Sequence, residues 1–398
     1  MVTGLRYQRH GVVVVQTAVM SAVLLGFAAL AIDIGRTAAI RAEAQRAADA
    51  AALAAASGLA TDGVLTQNDT DVAEAARSRA LAIARRNRVF NDETHVAEQD
   101  VEFGTIEDPW NLHSPFVPSH PSVANAVRVT VRRSTGSPDG PIPTAFAGVL
   151  GKNWVNVEAS ATAIVDRRVA GFRPPPNGEG LLIPLTIQQQ RYLDELQNGA
   201  DTYSFEDGAV RHTGDGIREI RLYPDKQGGV SSNGKGKGSS NSNGGAGSGN
   251  FGILNIGYAN NGVPEIEARI LNGVTPEDFT AAIGMPEIRF VDDSGKPITH
   301  QIDGDPGVKA GIKDALEQRI GDVVGFFVHT TVTSHGANAQ FTVVGIGFGR
   351  VLAVDLTGSV NGAKGLILQP VAYEGSSVIT APYAPSAGAY VSRIRLVR

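Results

Sequence analysis

The sequence predicts an α+β protein in which a long N-terminal transmembrane and alanine-rich helix packs on a small antiparallel sheet. A mainly-β sandwich or barrel-like domain follows. Three observations carry this expectation. Residues 11–32 form one unbroken apolar run, GVVVVQTAVMSAVLLGFAALAI, and alanine-rich sequence continues beyond it without a helix breaker. Residues 126–132 and 154–165 then alternate between apolar and polar positions, the period of a half-buried strand. Several short strand-like runs crowd the last hundred residues.

The apolar run holds no charge, and only Gln16, Thr17 and Ser21 are distinctly polar. At helical rise it spans roughly 33 Å, enough to cross the hydrocarbon core of a bilayer. Backbone polar groups in lipid must be satisfied within the segment, so the run has to be helical there. Residues 11–33 are therefore read as a transmembrane helix behind a short tail, 1–10. Arg6 and Arg9 on one side and Arg36, Arg41 and Arg46 on the other give almost no positive-inside bias. The favoured orientation keeps the tail in the cytoplasm and exports the C-terminal part. A cleaved signal peptide is the competing reading, with Ala29-Leu30-Ala31 as its cleavage site. The length of the run and the helix-forming sequence after it favour an anchor. Ala18, Ala22 and Gly26 recur at a four-residue interval, a row that lets helices approach closely in lipid, although membrane segments are rich in small residues anyway.

Composition narrows the chemistry. The 398 residues contain no cysteine, which excludes disulfides, a thiol nucleophile and a cysteine-based zinc site. A net charge of −5 with interspersed signs, and no basic stripe with aromatics, argues against a nucleic-acid surface. With 47 glycines and only 6% aromatic residues, the chain suits a β-rich protein with many turns.

Residues 34–168 are expected to form one helix-and-sheet region. The first helix should continue to about Ser57, with Gly58 as its stop. Ala47, Ala48, Ala50–Ala52 and Ala54–Ala56 make nearly all its faces small, which suits close approach to a sheet or another helix. A second helix is signalled by the capping run Asn68-Asp69-Thr70-Asp71, the stripe Val72, Ala76 and Ile83, and Arg85, Arg86 and Arg88 at its end. Strands are expected at 100–103, 126–132 and 154–165, with Val127, Val129 and Val131 on one face of the second. Between the last two, PIPTAFAGVLG reads as a proline-started helical turn. A long helix followed by a small sheet in need of a cover is the layout of pilin-like subunits.

The stretch LLGFAALAIDIGRTAAIRAEAQRAADAAALAAA resembles the N-terminal segment of the TadG-like, or TadE/G-like, proteins of the Flp (tight adherence) pilus-assembly system. The pieces that carry the resemblance are Ala31-Ile32-Asp33-Ile34-Gly35-Arg36 and Gln45-Arg46-Ala47-Ala48-Asp49-Ala50-Ala51-Ala52-Leu53-Ala54. Looser likenesses lie at 100–104 and 141–151. The resemblance implies a single-pass inner-membrane protein with its domains in the periplasm, taking part in building or anchoring a pilus. Asp33 and Arg36 would mark the membrane exit. Related pseudopilins carry a glycine cleavage point, four apolar residues and a glutamate. Here Gly11 and four valines precede Gln16, which cannot supply the acidic charge, so prepilin-like processing after Gly11 and an intact N-terminus stand as alternatives.

Residues 169–398 change character and are expected to form a β-rich domain. RPPPNG at 173–178 is a stiff linker, and 228–250 is a low-complexity Gly/Ser/Asn loop. Strands are expected at 181–187, 217–223, 326–333, 340–346, 350–356, 366–373 and 390–397, helices at 276–283 and 306–320, and a return to order at 252–256.

Several fragments invite a chemical reading. Gly345-Ile346-Gly347-Phe348-Gly349-Arg350 is glycine-rich, but no helix follows to cradle a phosphate, so the glycines belong to a curved strand. Asp355, Thr357 and Ser359 resemble the metal-ion site of von Willebrand factor A domains, yet too little chain follows for the rest of that fold, and a strand-to-turn is the reading. Asp292, Asp293, Asp303 and Asp305 fit no calcium-loop spacing, and His329 and His335 are read as solvent-facing residues near a strand end. No nucleophile elbow is recognisable. The sequence thus points away from an enzyme, and no cofactor is implied. Its expected partners are the membrane and other pilus-assembly or envelope proteins, with lateral helix association and no nucleic acid. The alternative is a cell-envelope adhesin or binding module displayed on the same anchor.

Overall fold

One helix, α1, runs without a break from His10 to Gly58 and behaves as two different surfaces along its length. From Val13 to Ile32 its large side chains are exposed, Phe27 to 66%. From Ile40 onward the pattern reverses, and Ala44, Ala47, Ala48, Ala51, Ala52, Ala55 and Ala56 are fully buried. Those spacings of three and four residues make one stripe down the helix. The computed structural model describes residues 10–66, 69–111, 113–222, 251–257, 262–307, 309–333, 339–356, 365–388 and 390–397. The expected Gly/Ser/Asn loop at 228–250 lies outside the described residues, as do Asn68, His335, Thr357 and Ser359.

The stripe is covered from two sides. Helix α2, Asp69–Arg86, lays Val72, Ala76, Ala80 and Ala84 against it. A six-stranded sheet supplies the other cover, in the order Tyr373–Glu374, Val391–Val397, Val157–Asp166, Ala126–Arg133, Val101–Thr105 and Val117–Pro118. Its two central strands pair Val127 with Ala163, Val129 with Ala161 and Val131 with Ala159. A column of valines therefore runs beside a column of alanines, and both columns join the buried cluster of α1. Small residues on the helix let it sit close to this surface, which spreads many modest burials along its length.

The sheet is not built from the first half of the chain alone. Val391–Val397 pairs antiparallel with Val157–Asp166, from Arg393 opposite Asp166 to Val397 opposite Thr162. The boundary expected after residue 168 is thus crossed by the last strand, because the strand at 157–166 would otherwise leave a row of unpaired backbone groups.

A second large sheet has seven strands, and its pairing closes on itself. Leu182–Gln188, Phe251–Leu254, His300–Pro306, Ala339–Asp355 and Val323–Thr333 pair in a ring, and Gly365–Pro370 and Ile220–Leu222 extend it. Leu182, Leu254, Ile302, Phe327 and Phe341, one from each ring strand, share one buried cluster. The alternate residues Ile183, Leu185, Ile187, Phe251, Ile253, Val324 and Phe326 meet the helices Val263–Asn272 and Lys313–Glu317 in another. Helix Pro276–Ile283 falls where expected and opens on a capping box between Thr275 and Asp278.

Several expectations change: the strand expected at 154–165 divides into Trp154–Val155 and Val157–Asp166, and the proline-started turn at 141–151 opens as a strand arm, Ile142–Pro143, before its 3-10 turn. Residues 340–356 were expected as two strands but are one, Ala339–Asp355, and the glycines are packing positions. A Cβ on Gly347 would lie 2.6 Å from the Phe326 ring, and one on Gly349 would lie 2.9 Å from Leu368. The helix expected at 306–320 shrinks to a 3-10 turn, Ala310–Ile312, and a short helix, Lys313–Glu317. Pro306 ends a strand, and Gly307 at φ 105° cannot continue into a helix. His329 is wholly buried, not solvent-facing, and its Nδ1 lies 2.8 Å from the Thr186 hydroxyl.

Candidate functional site

The apolar run of α1 ends at Asp33, and this residue is where the helix is first gripped. Only 7% of Asp33 is exposed. Its carboxylate accepts backbone N–H groups from Ala145 at 2.8 Å, Phe146 at 2.9 Å and Ala147 at 2.6 Å. Those donors open the 3-10 turn Ala147–Leu150, whose first N–H groups have no partner within the turn. Three converging N–H groups form a ready cradle for an anion, and a buried carboxylate needs such partners to offset lost hydration. Gly151, at φ 79°, closes the turn in the left-handed region. A hairpin whose arms pair Ile142 with Val155 and Pro143 with Trp154 carries it.

One turn further, the Arg36 guanidinium lies 4.6 Å from the Phe90 ring centroid. Phe90 and Asn91 are the two turn residues between Arg88–Val89 and Asp92–Glu93, at φ 59° and 65°. Two positive φ values match the hairpin turn that follows strand twist, but phenylalanine rarely adopts one. Its neighbours hold it there. Glu43 accepts the Phe90 N–H at 2.9 Å, and Arg133 approaches the ring at 6.0 Å while donating to Val89 O at 3.3 Å. Asp33, Arg36, Ile40 and Glu43 follow the spacing of one helical face. The face that enters the domain core is thus also the face that clamps two hairpins, and the exposed apolar half of α1 runs into the folded domain without a break.

That switch at Asp33, from a wholly exposed apolar helix to a buried alanine stripe, frames the comparison with known families. Residues 11–58 match the family described as "Putative Flp pilus-assembly TadE/G-like". The TadE/G-like segment and α1, His10–Gly58, coincide almost residue for residue. No curated protein and no solved structure matches the chain.

Within the TadE/G-like segment, Ala18, Ala22 and Gly26 share an exposed face, and a Cβ on Gly26 would meet nothing within 4 Å. Gly11 and Gln16 are both helical, and Gln16 is exposed. The helix from His10 is long and apolar enough to cross a membrane. Asp33 and Arg36 are brought together with partners that pattern reasoning missed: the 145–147 amides, Phe90 and Glu43. The turn at 141–151 was visible in the sequence, but nothing local ties it to Asp33.

The acidic fragments are occupied locally. The Asp292 carboxylate accepts from Ser294 and Lys296, and Asp305 pairs with Lys309 at 2.6 Å. Among the described residues no group of three or more His, Asp or Glu side chains converges to hold a metal ion. A cleft of about 780 Å³ in the C-terminal half is lined by Arg191, Glu195, Tyr203, His212, Glu219 and Arg221, among others. Burial pushes the carboxyls of Glu195 and Glu219 above the ordinary range, while Arg191 opposes the first shift and the Thr202 and Tyr203 amides oppose the second.

Proposed function

We propose that this protein is a membrane-anchored structural component of a Flp/Tad-type pilus-assembly or secretion system. It would act without catalysis, through helix anchoring and protein–protein contacts. The observation that carries the reading is the division of α1 at Asp33. The same helix that matches the TadE/G-like family is bare and apolar on one side of that residue and embedded in the domain on the other. A bare apolar helix of this length is stable in lipid and an aggregation hazard in water. In this reading residues 1–10 stay in the cytoplasm, 11–33 cross the inner membrane, and the rest of the chain lies on the periplasmic side. The face of Ala18, Ala22 and Gly26 is open to a neighbouring helix of the apparatus.

Three measurements test it together. Alkaline extraction of membranes should leave the full-length protein in the pellet, and protease added to spheroplasts should digest the C-terminal domain. Gly26→Ile should then weaken co-purification with pilus-assembly proteins while leaving the protein in the membrane. Recovery of the intact protein in the soluble fraction rejects the anchor, and undiminished co-purification rejects the lateral contact.

A second reading rests on the cleft at Arg191, Glu195 and Glu219, which no feature of the anchor explains. A displayed adhesin or binding module would keep its ligand affinity after exchange of residues 11–33 for an unrelated membrane span, whereas an assembly subunit would lose its pilus contacts.

A further inference from the structure

The hairpin that Asp33 grips carries an apolar surface at its tip. Val149 is 92% exposed, Trp154 57% and Phe146 45%. Loop tips in water are normally polar, and two large apolar side chains on the turn with Trp154 at the start of the adjoining arm call for a partner. The loop's position names that partner. Its amides sit on the carboxylate of Asp33, and the adjoining helix residues Leu30, Ile32 and Ile34 are themselves exposed to 46%, 52% and 60%. The loop therefore sits at the level where the apolar span ends.

Its chemistry also fits a bilayer boundary. From Gly140 to Val157 the only charged residue is Lys152, which is exposed, and there is no carboxylate in that stretch to repel lipid phosphates. Tryptophan favours the headgroup level, where its ring has both apolar and polar neighbours, and a lysine stem reaches outward to the phosphates. The backbone is prepared for a drier medium. Besides the amides held by Asp33, the Thr144 N–H donates to Asn153 O at 3.1 Å, the Val149 N–H to Phe146 O at 3.1 Å and the Lys152 N–H to Ala147 O at 3.1 Å. Ile142 is buried beneath, so the loop stands on the domain core as a preformed wedge.

We propose that the hairpin 142–155 is a second membrane-contacting element, inserting Phe146, Val149 and Trp154 into the headgroup–acyl boundary of the leaflet that α1 leaves. Asp33 is its positioning residue. The loop would fix the height and rotation of the domain over the membrane, which a single helix leaves free to swivel. This rests on the anchor reading above, and the test separates the two.

The chain lacks cysteine, so single cysteines report cleanly. Leu24→Cys, Val149→Cys and Ala209→Cys, each in the full-length protein, are labelled with an environment-sensitive fluorophore. The proteins are reconstituted in vesicles of phosphatidylethanolamine and phosphatidylglycerol containing a phosphatidylcholine spin-labelled near its headgroup. The label at 149 should shift to the blue and lose most of its emission to the lipid quencher, while the label at 209 responds only to aqueous iodide. A label at 149 that behaves like 209 overturns the proposal, as does one shielded from both quenchers, which would mean a protein cover. If position 24 also ignores lipid quenchers of every depth, the anchor reading itself fails. Adding Asp33→Ala to Val149→Cys should abolish lipid quenching at 149, and adding it to Leu24→Cys should preserve lipid quenching at 24. Quenching retained at 149 would remove Asp33 from the positioning role.

Discussion

Gly58 and Ala76 touch backbone to backbone: a Cβ built on Gly58 would stand 2.3 Å from the Ala76 Cα. Gly58 is the last residue of α1 and is not in the left-handed region, so its glycine serves the crossing with α2 more than a C-terminal cap. Gly58→Ala removes a helix penalty of about 1 kcal/mol but forces two backbones apart, an overpacking cost of about 1–3 kcal/mol. Net destabilisation is expected, larger for Gly58→Val, measured by chemical unfolding of the detergent-solubilised protein. An unchanged or raised midpoint for Gly58→Ala would show that the crossing relaxes freely.

Asp166 ties the returning strand to the rest of the domain. Its buried carboxylate accepts from Trp110 Nε1 at 3.1 Å and Arg168 Nε at 3.2 Å, and lies 3.5 Å from Arg395 Nε. Asp166→Ala removes the carboxylate beside Arg395 and leaves Arg168 with Asp108 alone, at 3.3 Å, which should cost about 1–3 kcal/mol. Unfolding followed by Trp110 emission reads the loss, because Arg395 stacks on that indole at 4.3 Å. A loss well under 1 kcal/mol would mean the cluster is solvated in practice.

Phe341 occupies space that two glycines vacate. A Cβ on Gly252 would lie 2.3 Å from its ring, and one on Gly304 would lie 2.9 Å away. Phe341→Ala should cost about 3–5 kcal/mol through the cavity, and Gly252→Ala about 1–3 kcal/mol through overpacking. The pair Gly252→Ala with Phe341→Leu should cost less than the sum of the two singles, since the smaller side chain makes room for the methyl group. Strict additivity would place the two residues in separate environments.

The contribution of Glu219 to stability should fall as pH rises across the acidic range. Glu219 is raised above its ordinary 4.5 by burial, with the Tyr203 N–H at 2.6 Å opposing the shift. The folded state then holds its proton more tightly than the unfolded chain, so the contribution is complete below pH 4.5 and is lost as pH climbs through the raised folded value. Glu219→Gln keeps an acceptor for the two amides and should flatten that part of the curve. An identical pH profile in the variant would mean that the carboxyl titrates alike in both states.

Much of the chain could be read from local pattern. The length and polarity of residues 11–32, the alanine stripe and the valine alternation at 126–132 each act over a few residues, and each produced the expected element. The site was legible only by half. Asp33 was recognised as the end of the apolar run, but its partners lie 112 to 114 residues downstream, and no spacing rule links a carboxylate to amides that distant. Helices Gln189–Asn198 and Val263–Asn272 were overlooked, although Ile266 and Ile270, Pro264 and Gly273 marked the second. The role of His329 escaped for the reason that hid Gly347 and Gly349. A polar ring inside a core, or a glycine under an aromatic, is explained by a neighbour on another strand.

The strand Val391–Val397 has a bearing on how the molecule comes into being. It supplies the neighbour of Val157–Asp166, so the sheet under the alanine helix cannot reach full width until residues 391–397 have been synthesised. A nascent chain stalled earlier would display a long adhesive border on its half-made platform. Maturation of the part nearest the span is thereby tied to the arrival of a strand made much later.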